Sequence, residues 1–129
     1  MNGRPHRTAE TGSATTQLVV ATPALLTLML LTVHVGLWLH ASHIAHAAAR
    51  EGARAARAEH GTADDGRQHA LDLLDDLAPR LIADPQVTAQ RDADRVHVEV
   101  TGSSAPVLGW LRLPVSAAAE GSVERFRAP

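Results

Sequence analysis

The chain contains no cysteine and no lysine, and only three of its 129 residues are aromatic: Trp38, Trp110 and Phe126. The missing cysteines exclude a disulfide framework, a thiolate metal site and a cysteine nucleophile. They do not place the compartment, because a membrane-tethered exported domain can also lack them. So few aromatics argue against a large aromatic-lined ligand pocket. The missing lysine rules out the Gly-Lys-Ser/Thr ending of a phosphate loop. A formal net charge of −2 argues against a nucleic-acid partner, and the all-arginine basic set reflects codon bias rather than phosphate recognition. Charge is also absent locally. Residues 11–49 hold no Asp, Glu or Arg, so all twelve Arg and all fourteen acidic residues lie in the flanks. The averages, 45% apolar and 20% charged, describe an ordinary soluble domain. The distribution does not.

Within the uncharged block, residues 18–39 are mostly Leu, Val, Ala and Thr. As a helix they would run roughly 33 Å, close to the ~30 Å of a hydrocarbon core. Pro23 falls in the second turn, where a neighbouring helix or a nearby Thr can satisfy the freed carbonyl. Neutral His34 is awkward but tolerable near the far end, and Trp38 with His40 suits a membrane interface. A buried core helix is the soluble alternative, but so long an apolar run exceeds what a domain of this size buries on all sides. A secretory signal peptide is the stronger rival. Arg4 and Arg7 would form its basic start, and Ala45-His46-Ala47 resembles its small-x-small cleavage site. Signal peptides, however, use an apolar region of about 7–15 residues. The block reads as a retained, single-pass anchor in contact with membrane lipid. Charge does not orient it: Arg4, Arg7 and the amino terminus face Arg50, Arg54 and Arg57 across the block.

The helix is expected to continue beyond the bilayer, since residues 41–59 are rich in Ala and Arg and contain no Pro. Ala45, Ala48, Ala49, Gly52, Ala53 and Ala56 share one face, with Arg50, Arg54 and Arg57 on another. Such a seam of small residues lets a second helix approach closely, and Ala49→Leu or Gly52→Leu would then disrupt association. The plainer reading is that alanine simply fills a helix. Residues 61–66 break the helix and supply N-cap residues. A second helix is expected over residues 67–83, with Leu71, Leu74, Leu77, Ala78, Leu81 and Ile82 as its stripe, Pro79 kinking or splitting it and Asp84-Pro85 ending it. Val96, Val98 and Val100 alternate with His97, Glu99 and Thr101, a half-buried strand, with residues 86–90 as a shorter partner. Leu111, Leu113, Val115 and Ala117 alternate again, and Pro114 confines that strand to an edge. The expected fold class is α+β: an N-terminal membrane helix with its extension, a second helix and a small antiparallel sheet. Residues 61–129 hold few large apolar side chains, so packing on the long helix or on other subunits is expected to stabilise them.

Little of the chemistry survives scrutiny. His40, His43 and His46 are three apart, but a closed metal site needs further ligands, and over six residues the trio fans around the helix. No carboxylate lies between His34 and Arg50. Asp64-Asp65, Asp72, Asp75-Asp76 and Asp92 with Asp94 lack the pattern of a calcium hand, and solvated surface is the plainer reading. There is no Gly-x-Ser-x-Gly elbow. The expectation is a protein that is not an enzyme, with no catalytic residues, metal, cofactor or small-molecule substrate.

One junction carries a resemblance. A short leader runs through Ala9-Glu10-Thr11-Gly12 into Ser13-Ala14-Thr15-Thr16-Gln17-Leu18-Val19-Val20 and the Pro23-containing apolar helix. Beyond it come Ala47-Ala48-Ala49-Arg50-Glu51-Gly52-Ala53-Arg54-Ala55-Ala56, then Leu111-Arg112-Leu113-Pro114-Val115-Ser116-Ala117 and Glu120-Gly121-Ser122-Val123-Glu124-Arg125-Phe126. In this order the chain resembles the TadE-like family, pilin-like proteins of tight-adherence (Tad/Flp) type IV pilus systems. The resemblance implies that a prepilin peptidase cuts between Gly12 and Ser13. It implies a cytoplasmic leader (1–12), a plasma- or inner-membrane helix with its extension (13–60) and an extracytoplasmic α+β domain (61–129). The implied partners are other pilin-like subunits and the Tad assembly machinery. Gln17 stands at the fifth mature position, where such pilins usually carry Glu. It can hydrogen-bond but cannot compensate a neighbour's terminal ammonium, which points to a minor pilin or assembly factor rather than a major stacked subunit. The alternative from another class is an unprocessed, membrane-tethered binding module outside any pilus.

Overall fold

One helix, α1, runs without a break from Glu10 to Arg57, 48 residues. The computed structural model describes the backbone of residues 10–123 and the side chains of residues 12–123. Residues 1–9 of the leader and the Glu124-Arg125-Phe126 part of the resemblance lie outside the described residues. The chain divides into two compact units, one ending at Val33 and the other beginning at His34.

In the first unit, α1 exposes its apolar side chains: Leu18, Val19, Val20, Leu25, Leu26, Leu28 and Met29 are each more than half accessible. Its hydroxyls turn inward. Thr16, Thr22, Thr27 and Thr32 donate to the carbonyls of Gly12, Leu18, Pro23 and Leu28, one turn back, at 2.8–2.9 Å. This arrangement leaves those hydroxyls paired in an apolar medium. It does not extend to the carbonyl of Val19, whose helical donor Pro23 lacks; Thr22 reaches the neighbouring carbonyl instead.

The second unit combines residues 34–57 of α1 with α2 (Ala63–Leu77), β1 (Ile82–Arg91), β2 (Arg95–Ser104) and β3 (Pro114–Ser122). The strands form an antiparallel sheet in the order β1-β2-β3. The alternation in β2 is as the sequence predicts: Val96, Val98 and Val100 are buried, while His97, Glu99 and Thr101 are half-exposed. Val115 and Ala117 of β3 are also buried, and β3 is an edge strand that opens on Pro114. Ala41, Ile44, Ala45, Ala48 and Ala49 of α1 share a core with Ala70 and Leu74 of α2, Ile82, Val100, Val115 and Ala117. Ala53 and Ala56 join Val96 and Val98 in a second cluster. A core of Ala and Val buries little area per residue, so it depends on close backbone approach.

Three expectations need correction. The second helix spans 63–77 rather than 67–83. Ala78, which precedes Pro79, leaves the helical region (φ −137, ψ 42), as the proline ring demands of its predecessor. Ile82 therefore opens β1 and Leu81 lies in the turn before it, although both fit the helical period. The buried stripe of α2 is Gly66, Ala70 and Leu74, while Leu77 is 55% exposed. Asp84-Pro85 ends no helix: β1 runs through it, with a register shift between Ala83 and Gln86 and a left-handed φ of 50° at Asp84. Aspartate tolerates that conformation better than most residues. The partner of β2 is thus a full ten-residue strand. Finally, β3 begins at Pro114, so Leu111 and Leu113 lie in the loop before it.

The start of α2 is a capping box. The Asp65 N–H donates to Thr62 Oγ1 (3.1 Å), while the Thr62 N–H and hydroxyl donate to Asp65 Oδ2 (2.8 and 2.7 Å). The Thr62 hydroxyl, then the Thr62 N–H, holds the Asp65 carboxyl below its ordinary 3.8. Thr62→Ala should cost about 1 kcal/mol at neutral pH in urea denaturation. Because the folded carboxyl is depressed, its stabilisation is present above the ordinary carboxylate range and fades as pH falls through the folded value. The gap between wild type and Thr62→Ala should therefore narrow in acid. An unchanged gap would show that the carboxylate contributes nothing.

Candidate functional site

The candidate processing junction lies in the first turn of α1. A Cβ added at Gly12 would meet nothing within 4 Å, so internal packing does not require glycine there. Gly12, Ser13, Thr16, Gln17, Val20, Ala21 and Ala24 line one open groove, predominantly apolar. The Gln17 side chain is exposed in this groove, one turn after Ser13. The junction and Gln17 thus share a helical face with Ala21 and Ala24, and faces with small side chains admit a second helix at close range.

The extension seam has a different fate. Ala45, Ala48, Ala49 and Ala56 are fully buried, and Gly52 and Ala53 nearly so. The second backbone they admit is α2 of the same chain. A Cβ at Gly52 would stand 2.6 Å from the Gly66 carbonyl oxygen, 3.1 Å from Ala70 Cβ and 3.2 Å from Val98 Cγ1. A Cβ at Gly66 would meet Ala56 Cβ and the Gly52 carbonyl oxygen, each at 2.7 Å. The seam is occupied from within and does not offer itself to another subunit.

Two arginines close the far end of this packing. Arg91 Nη1 donates to the carbonyls of Ala56 and Gly61, and to that of Ala58 at 3.1 Å. A cation so placed satisfies carbonyls that a helix C-terminus leaves without donors and meets the negative end of its dipole. The Arg57 side chain passes alongside Gly121 of β3. Neither arrangement is legible in the sequence, since Arg91 lies thirty or more residues from the carbonyls it caps.

His34 is 1% exposed, with no hydrogen-bond partner at either ring nitrogen. It is therefore shielded by protein rather than turned outward on the apolar helix. His40, His43 and His46 are exposed. Among the described residues no three His, Asp or Glu side chains come together as a metal site. Asp64 pairs with Arg67 at 3.1 Å and Asp72 accepts from Gln68, both within a helical turn on the surface. His97 meets Glu120 at 3.2 Å, where the register sets them opposite each other across β2 and β3. The ladder alone accounts for that pair.

These features define a class: an α+β protein with a small Ala/Val-cored domain and one helix long and apolar enough to cross a membrane. The family model for TadE-like protein matches residues 12–54, about a third of the chain, from the junction glycine through most of the seam. Over that segment the chain is similar to the TadE-like family. No curated protein and no solved structure matches it.

Proposed function

We propose that the protein is a structural, non-catalytic subunit of a Tad-type pilus or related secretion apparatus, acting as a minor pilin or assembly factor. The observation that carries this reading is the TadE-like match over residues 12–54, which covers the junction and the whole exposed apolar part of α1. In this reading α1 is a retained single-pass anchor with its N-terminus in the cytoplasm, and prepilin peptidase frees Ser13. The core supports retention. Cleavage after Ala47 would remove Ala41, Ile44 and Ala45 from the cluster they share with β2 and β3. Lateral contact with other pilin-like subunits falls to the face carrying Ser13 and Gln17, because the 45–56 seam is already filled. Gln17 can pair with polar groups there without adding a buried charge.

A clean deletion, in a background without a paralogue, should impair pilus assembly or export. Expression of the full chain should restore it. Normal piliation and secretion in the deletion strain would remove the proposed role and leave the tethered binding module as the better account.

A further inference from the structure

The loop between β2 and β3, residues 105–113, is apolar and contains no acidic residue; its only charge is Arg112. A folded surface loop seldom presents such a sequence without a partner, and here its largest side chain, Trp110, is 81% exposed with Val107 also exposed. The base of the loop is pinned. Ser104 N–H donates to the Leu113 carbonyl, Ala105 N–H to that of Leu81, and Trp38 Nε1 to that of Pro114. A turn closed by Leu111 N–H and the Leu108 carbonyl shapes its tip.

The Trp38 bond fixes where the loop sits within this unit. It lies beside the stretch of α1 that exposes Val35 and Leu39, at the C-terminal end of the apolar block. The other end of the sheet is unlike it. Gly121 packs against Arg57, the β1–β2 turn carries Asp92 and Asp94, and β2 opens on Arg95. The second unit thus has an apolar end near Val35 and Leu39 and a charged end beside the last turn of α1. Tryptophan with a neighbouring arginine is the chemistry of a membrane–water interface, where an amphipathic ring and a snorkelling cation both find their medium.

We propose that the 105–113 loop is a second membrane contact, inserting Val107 and Trp110 into the lipid interface of the leaflet from which α1 emerges. The occupant is lipid rather than protein because the base of the loop is tied to Trp38, next to the exposed apolar Val35 and Leu39 of the helix. This proposal rests on α1 being a membrane span, and its test separates the two.

The absence of cysteine allows single sites to be labelled in the full chain. Gly109→Cys, Leu28→Cys and Asp92→Cys would each carry an environment-sensitive fluorophore in phosphatidylcholine vesicles with spin labels either near the headgroup or at the acyl-chain end. Gly109 is suitable because a Cβ there meets nothing within 4 Å. The Gly109 label should emit to the blue of the Asp92 label and lose more emission to the shallow quencher than to the deep one. The Leu28 label should show the reverse depth preference. Adding Trp110→Ser should reduce the shallow quenching at Gly109. A Gly109 label that emits as in water, or is shielded but not quenched by lipid, while Leu28 is quenched, would overturn the loop contact alone. A Leu28 label untouched by the deep quencher would overturn the span and the loop contact together.

Discussion

Gly52→Ala should destabilise the second unit by about 2 kcal/mol, although the same change in an open helix stabilises. Alanine gains about 1 kcal/mol over glycine in helix propensity. Against this, the new methyl would stand 2.6 Å from a backbone oxygen of α2, with Ala70 and Val98 closing the other sides. A carbonyl cannot rotate aside as a flexible side chain can, so the helices must separate, and overpacking of this kind costs about 3 kcal/mol. Strain therefore outweighs propensity. Gly52→Leu should prevent the domain from folding, since a leucine there would drive α1 away from both α2 and Val98 of β2. Gly36→Ala, on the same helix, meets nothing within 4 Å and should cause no loss. The comparison is read by urea denaturation in detergent micelles with Trp fluorescence. Equal midpoints for Gly52→Ala and Gly36→Ala would show that α1 and α2 do not cross as closely as described.

The second large effect is expected at Arg91. Arg91→Met keeps most of the aliphatic stem but removes the donors that reach Ala56, Ala58 and Gly61. Hydrogen bonds from a charged group contribute more than neutral ones, and their loss here should cost about 2 kcal/mol. Faster amide hydrogen exchange should localise to residues 55–61, because the end of α1 would fray before the sheet opens. Arg91→Lys should recover only part of the loss, since an ammonium does not reproduce the planar fork. An Arg91→Met protein with wild-type exchange at these residues would mean that the carbonyls are served by water.

The elements readable in the sequence are those whose pattern is local. The uncharged run of α1, the small-residue face at 45–56 and the Val96/Val98/Val100 alternation each follow from spacing alone. The end of α2 is hidden in the sequence because Leu81 and Ile82 fit a helical period, while the conformational demand of Pro79 on Ala78 outweighs that fit. The full length of β1 is hidden because Asp84-Pro85 looks like a terminator, whereas an edge strand accommodates it with a register shift. The use of the seam was not legible either. Small residues at helical spacing announce a close approach, but nothing in that spacing says which backbone approaches. The candidate processing site was legible only through the resemblance that Gly12 and the following residues carry. Packing gives no reason for glycine at position 12.

The proposed function requires that α1 be retained from Ser13 onward, as both membrane anchor and core element of the domain. Its most direct test is the intact mass of the protein purified from membranes of a cell that carries a prepilin peptidase. A chain beginning at Ser13 is predicted; one beginning at Met1, or near Ala48, would contradict it.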